Sequence, residues 1–209
     1  MSTLPFSKIR QRTSFGRILI TGVFVISFGF GFRVREAIAE EKLTSGIAVG
    51  EFVVGFESTK CGGATGDGVK TGSELCYVCK YEERPVVLIF ARTAGPGLAR
   101  LVQQLDALIP KHKKKQLAGI VTLIGAEATV LQKRAKQFAL RSKISHVPVL
   151  VPLTKTVNGP KDFQLSTKAD VTVLMYVAGT VKANFALSAK SLTQKNVKRI
   201  LADVSKIVQ

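Results

Sequence analysis

Pro85-Val86-Val87-Leu88-Ile89-Phe90-Ala91-Arg92-Thr93-Ala94-Gly95-Pro96-Gly97 is the stretch on which the reading of this chain turns. Val86 to Ala91 is an unbroken apolar run of strand length, which suits a strand buried on both faces. Gly95-Pro96 ends it. Leu98, Leu101, Val102, Leu105, Leu108 and Ile109 then recur at helical spacing, with Pro110 closing the pattern. A buried strand, a sharp turn and an amphipathic helix therefore follow one another.

The pattern repeats downstream. Residues 117–124 form a second apolar run, and Val130, Leu131, Ala135, Phe138 and Ala139 mark a second helix ending near Ser142. Residues 147–152 make a short third strand, followed by turn chemistry at Asn158-Gly159-Pro160. Residues 171–177 and 181–187 read as two strands joined by a tight hairpin at Ala178-Gly179-Thr180. Val197, Ile200, Leu201, Val204 and Val208 stripe a last helix, with Ser191 or Thr193 as its N-cap. The order β–α–β–α–β–β–β–α predicts an α/β domain with a mixed central sheet and helices on both faces. Upstream, residues 48–56 read as a turn and a short strand. Residues 57–73 hold Gly62, Gly63, Gly66, Gly68 and Gly72 and read as loop.

The whole chain has 209 residues, 46% apolar and 22% charged, which fits one ordinary domain with an extension and excludes disorder and collagen-like structure. The extension reads as an export segment. Lys8, Arg10, Arg12 and Arg17 precede the uncharged run 18–32, and Ala37-Ile38-Ala39 offers a cleavage site. Residues 1–39 are thus expected to be a signal peptide or, uncleaved, a membrane anchor through 18–32. Residues 40–84 form a loop-rich lead and 85–209 the folded domain. The formal charge is +17; residues 1–39 hold six Lys/Arg and one acidic residue, so the remainder keeps 25 basic against 13 acidic residues, or +12. An exported basic protein is expected to meet a protein partner or an anionic envelope polymer, not nucleic acid.

The element order resembles the thioredoxin-like fold, in its redoxin or peroxiredoxin-like branch. Val49-Gly50-Glu51-Phe52-Val53-Val54-Gly55-Phe56 resembles the opening of redoxins, and Thr172 to Tyr176 with Gly179-Thr180-Val181 resembles their late strand–turn–strand, so the likeness spans 47–209. It implies a three-layer α/β/α sandwich. It also implies a Cys-Gly-Pro-Cys dithiol after the first buried strand, where this chain has Ala94-Gly95-Pro96-Gly97, and a cis-proline before Thr172, where it has Val171. Thiol–disulfide exchange needs a thiolate nucleophile, and Ala94 and Gly97 supply none. No catalytic residue is expected at the standard position, and no cofactor.

Three cysteines remain, Cys61, Cys76 and Cys79. Cys76-x-x-Cys79 precedes the first buried strand, whose length puts it roughly 20 Å from the Ala94 corner. Three readings stay open. Cys61 bridged to Cys76 or Cys79 would close a loop of 15–18 residues, worth roughly 3 kcal/mol. Cys76 and Cys79 as a relocated redox pair, with Cys61 resolving, would have Lys80 and Arg84 to stabilise a thiolate, but no helix start is evident there. Three thiolates with His146 would meet a zinc or copper(I) ligand count, although His146 reads better as a hydrogen-bonded loop residue and no metal is expected. Lys111, Lys113, Lys114 and Lys115 with Lys133, Arg134, Lys136, Arg141 and Lys143 form a basic side, read as a solvated face or as a contact for an anionic polymer. The expected function is a non-catalytic binding or structural module of the cell envelope. The alternative is a thiol–disulfide oxidoreductase working through Cys76 and Cys79.

Overall fold

The first buried run becomes strand β3 (Val86–Ala91), and each of its residues is buried. The structure, a computed structural model, describes residues 43–154 and 156–209. The expected signal or anchor, 1–39, and its apolar run 18–32 lie outside them. Around β3 stand β1 (Ser58–Gly62), β2 (Glu74–Leu75), β4 (Ala118–Leu123), β5 (Val149–Pro152), β6 (Val171–Val177) and β7 (Thr180–Leu187). They form one sheet in the order β2-β1-β5-β4-β3-β6-β7. β3, β4 and β5 are parallel, whereas β6 and β7 on one side and β1 and β2 on the other run antiparallel to their neighbours. The helices are α1 (Tyr77–Tyr81), α2 (Pro96–Leu108), α3 (Ala128–Ser142) and α4 (Gln194–Ala202).

Successive side chains of a strand point to opposite faces, so β3 feeds two cores. Val87, Ile89 and Ala91 pack with Leu98, Leu101 and Leu105 of α2, Ala135 and Phe138 of α3, and Val197 and Ile200 of α4. Val86, Leu88 and Phe90 face the other way, onto Tyr77, Val78 and Tyr81 of α1 together with Ile47, Phe163 and Leu165. The crossovers β3–α2–β4 and β4–α3–β5 step across the sheet in the same direction. Right-handed connections therefore place α2 and α3 on one face. The fold is the expected mixed-sheet α/β sandwich, but its outer layers are unequal. Three helices cover one face, and the short α1 with extended segments covers the other.

Two expectations in the lead change. Residues 57–73 contain a strand, β1, which pairs with β5 as Ser58↔Pro152, Thr59↔Val151 and Lys60↔Leu150. Residues 48–56 form no strand with its own ladder; Phe52 makes a single antiparallel bridge to Thr180 and stays 68% exposed. The last helix starts where capping chemistry placed it, with Thr193 Oγ1 accepting the Asn196 amide. No helix among the described residues is long and apolar enough to cross a membrane.

Candidate functional site

The turn between β3 and α2 is shaped by its sequence. Gly95 caps the helix and Pro96 occupies its first turn, where a missing amide costs nothing. Ala94 is half-buried against the helical core and Thr93 is exposed. The neighbouring strand closes the corner from one side: Ala91 pairs with Val171, and the Arg92 amide donates to the Asp170 carbonyl at 2.9 Å. No peptide bond among the described residues is cis.

Residues 188–192 close it from the other side. A Cβ placed on Gly97 would stand 2.7 Å from Leu192 Cβ, 3.3 Å from the Leu192 carbonyl oxygen and 3.5 Å from that of Ala189. The plug is itself anchored. Arg100 donates to the Leu192 carbonyl at 3.1 Å, the Ala189 amide donates to Asp170 Oδ2 at 2.7 Å, and the Ser188 and Ser191 hydroxyls lie 2.8 Å apart. Position 97 thus has room for hydrogen and not for a side chain.

The three cysteines are split between the two faces of the sheet. Cys76 and Cys79 are disulfide-bonded to each other, with Cα atoms 5.2 Å apart. Cys61 is a free, buried thiol in the helical core, packed with α3 residues. Its Sγ donates to the Thr59 carbonyl, and burial pushes its pKa up to about 11. The bridge from Cys61 to Cys76 or Cys79 is not formed, because the sheet lies between them. A helix does start at the pair, against expectation: Cys76 caps α1, and its sulfur accepts the Cys79 amide at 3.1 Å. Cys79 is exposed and Cys76 half-buried. A Cβ on Gly55 would fall 2.7 Å from Cys79 Sγ and 2.9 Å from Cys76 Sγ, so the disulfide rests directly on the backbone of the lead segment. The pair sits before β3 and on the face opposite α2, so it is not brought round to the Ala94 corner.

The thiols and His146 are not gathered into one site. His146 Nδ1 lies 3.2 Å from Asp106 Oδ2, and Asp106 also accepts the amides of Ser145, His146 and Val147. This carboxylate fastens the turn before β5 to α2. Among the described residues no cluster of three or more His, Cys, Asp or Glu is placed to hold a metal.

Sequence reasoning missed a buried polar network beside the disulfide. Lys60, 2% exposed, donates from Nζ to Asp67 Oδ1 at 2.7 Å and to the carbonyls of Ala64 at 2.9 Å and Val69 at 2.7 Å. Tyr77 donates its hydroxyl to Asp67 Oδ2 at 2.5 Å. Burial would raise the Asp67 pKa, but the hydrogen bonds from Lys60, Tyr77 and the Val69 amide bring it below the usual carboxylate value. Burial and the bond to Asp67 together push the Tyr77 phenol well up. The glycine-rich loop is thereby held in one shape. Its only sequence signal was a lysine beside a cysteine and an aspartate in a turn, neither of which announces a buried pair.

With that geometry in view, the comparisons with known proteins become informative about fold. A Chlorobium tepidum protein provisionally identified as a thiol:disulfide interchange protein, DsbE, superposes with a TM-score of 0.58 at 12% identity, covering 78% of this chain and 99% of its own. A protein of Bacteroides thetaiotaomicron, provisionally a protein disulfide isomerase, gives 0.58 at 12% identity over 79% and 94%. The reduced 2-Cys peroxiredoxin of Plasmodium vivax gives 0.53 at 16% identity over 77% and 98%. No protein-family model matches the chain and no curated protein matches it in sequence. The chain has a thioredoxin-like fold of the redoxin type.

Proposed function

We propose that this is an exported thioredoxin-like protein that does no redox chemistry at the standard corner and works as a non-catalytic binding or structural module of the cell envelope. Residues 1–39 are its signal peptide or anchor, 40–84 its cysteine-bearing lead and 85–209 its thioredoxin-like core. The observation that carries this reading is the contact at Gly97. Its Cα–H faces Leu192 so closely that a thiol there would displace the 188–192 segment, and Ala94 offers only a methyl group. Exchange needs an accessible sulfur backed by a resolving one; Ala94 supplies no sulfur, and position 97 has no room for one. On this reading the Cys76–Cys79 bond is a staple that closes the first turn of α1 against Gly55.

A second reading rests on one observation. Cys79 is exposed, and Cys76 accepts the amide of Cys79 at a helix start, a setting that favours a thiolate. The alternative is thus a thiol–disulfide oxidoreductase at Cys76-x-x-Cys79, away from α2. Insulin turbidity in dithiothreitol separates the two. A Cys61→Ser protein that matches a no-protein control supports the module. A clear acceleration that disappears on adding Cys76→Ser establishes the enzyme. Intact mass of the processed protein, without reduction, tests the export reading: a chain beginning at Glu40 is expected.

A further inference from the structure

A cleft of about 630 Å³ opens between the glycine-rich loop after β1 and the C-terminal half of α3. Its size falls in the range of small-molecule sites. The floor is apolar, formed by Ala139, Leu140 and Ile144, and Leu140 is 71% exposed at its edge. A leucine so exposed beside a cavity leaves apolar surface that a ligand would cover. Three exposed ammonium groups line the same cleft: Lys70 from the loop wall, and Lys136 and Lys143 from the helix wall. No carboxylate lines it, and among the described residues none of the three lysines has an ion-pair partner.

The loop wall is fixed before any ligand arrives. Lys60 holds the carbonyls of Ala64 and Val69 and the carboxylate of Asp67, and the Thr65 amide donates to the Ser145 carbonyl at 3.1 Å. A preformed wall removes the ordering cost of binding. The carbonyl end of α3 also reaches the cleft, but it is capped: Gln103 donates to the Ser142 carbonyl and the Lys143 amide to that of Leu140. Two of its carbonyls are thus occupied, and the roughly half charge of a helix end is small beside three ammonium groups.

We propose that this cleft binds a small amphiphilic monoanion, an acyl carboxylate, with its chain on Ala139, Leu140 and Ile144 and its head among Lys70, Lys136 and Lys143. The pairing of an apolar floor with unpaired cations selects both parts of such a molecule. A bare anion would leave the floor wet, and a neutral chain would leave the cations unused. Neither Cys76 nor Cys79 lines the cleft, and the site does not depend on whether they exchange.

The test is fluorescence titration of the full chain with 11-(dansylamino)undecanoate, followed by displacement with decanoate, decanol and inorganic phosphate. Saturable binding to one site is expected, displaced by decanoate and not by phosphate, with decanol weaker than decanoate. The pair Lys70→Gln and Lys136→Gln is expected to raise the Kd by about tenfold or more, equal to about 1.4 kcal/mol. The pair Lys113→Gln and Lys114→Gln removes the same charge elsewhere and is expected to leave it unchanged. All four lysines are exposed, so folding is not at stake. Absence of saturable binding overturns the proposal, as does equal weakening by the two variant pairs, displacement by phosphate as effective as by decanoate, or decanol competing as well as decanoate.

Discussion

At the scale of the residue, the absent side chain of Gly97 and the buried charge of Lys60 explain most of what is unusual here. The first α2 turn packs on Leu192 with nothing between, so any added atom must move residues 188–192. Gly97→Ala is expected to lower stability by about 1–3 kcal/mol, the usual cost of overpacking. Urea unfolding would read it as a lower midpoint at an unchanged slope. Leu192→Gly in that background removes the crowded Cβ itself and should recover part of the loss, with a coupling of about 1 kcal/mol in a double-mutant cycle. Strictly additive losses would show that the contact is not tight.

Asp67 is the counterion of a lysine that is 2% exposed. Asp67→Asn keeps the shape but strands the charge, at a cost of about 3–5 kcal/mol. The pH dependence has a definite sign. The folded pKa of Asp67 lies below its unfolded value, so the folded state binds this proton less tightly. Its contribution is complete above the unfolded value of about 3.9 and is lost as pH falls through the folded value. Acid titration of stability should show this loss in the native protein and a flatter limb in Asp67→Asn. Identical acid limbs would contradict the network's role.

At the scale of the element, the disulfide-bearing helix is too short to hold itself. α1 spans five residues, well under the length at which a helix is stable alone. Tyr77, Val78 and Tyr81 bury one face, and the Cys76–Cys79 bond on Gly55 fixes its start. A four-residue ring restrains the unfolded chain by about 2 kcal/mol. Replacing both cysteines with serine should lower stability by that amount and change nothing in the α2 corner. Near-native stability in the double variant would remove the staple role and favour a redox one.

The same elements show what the sequence could disclose. β3, β4 and β6 are buried on both faces, and such strands read as continuous apolar runs. α2, α3 and α4 carry stripes, and Thr193 is a strong cap, so the order from residue 85 onward was legible. β1 was not, because Ser-Thr-Lys-Cys-Gly has polar side chains at three of five positions and owes its burial to distant partners: Asp67 for Lys60, and β5 for its ladder. α1 was hidden for a related reason. One turn gives no periodicity, and its start is capped by a cysteine rather than by serine or aspartate. The empty turn at Ala94 and Gly97 was legible as composition, but the plug by Leu192 was not, since it joins residues 95 apart in the chain.

At the scale of the whole molecule, charge is distributed by surface and not by fold. Residues 40–209 carry +12, and the exposed lysines 111, 113 and 114 form one dense patch beyond the end of α2, with the outer side of α3 as another. Charges closer than a Debye length, about 8–10 Å at ordinary salt, act together on a polyanion, whereas scattered ones are screened one by one. If an anionic envelope polymer is the partner, position matters as well as number. Lys111→Gln, Lys113→Gln and Lys114→Gln together should move elution from a heparin column to lower salt. Removing Lys80, Lys182 and Lys195, all exposed and dispersed, should move it less. Reduction of the disulfide should leave both elution points in place, because no cysteine lies in the patch. Equal shifts from the two triple variants would mean that net charge alone governs retention, and the lysine patch would then be only a solvated face.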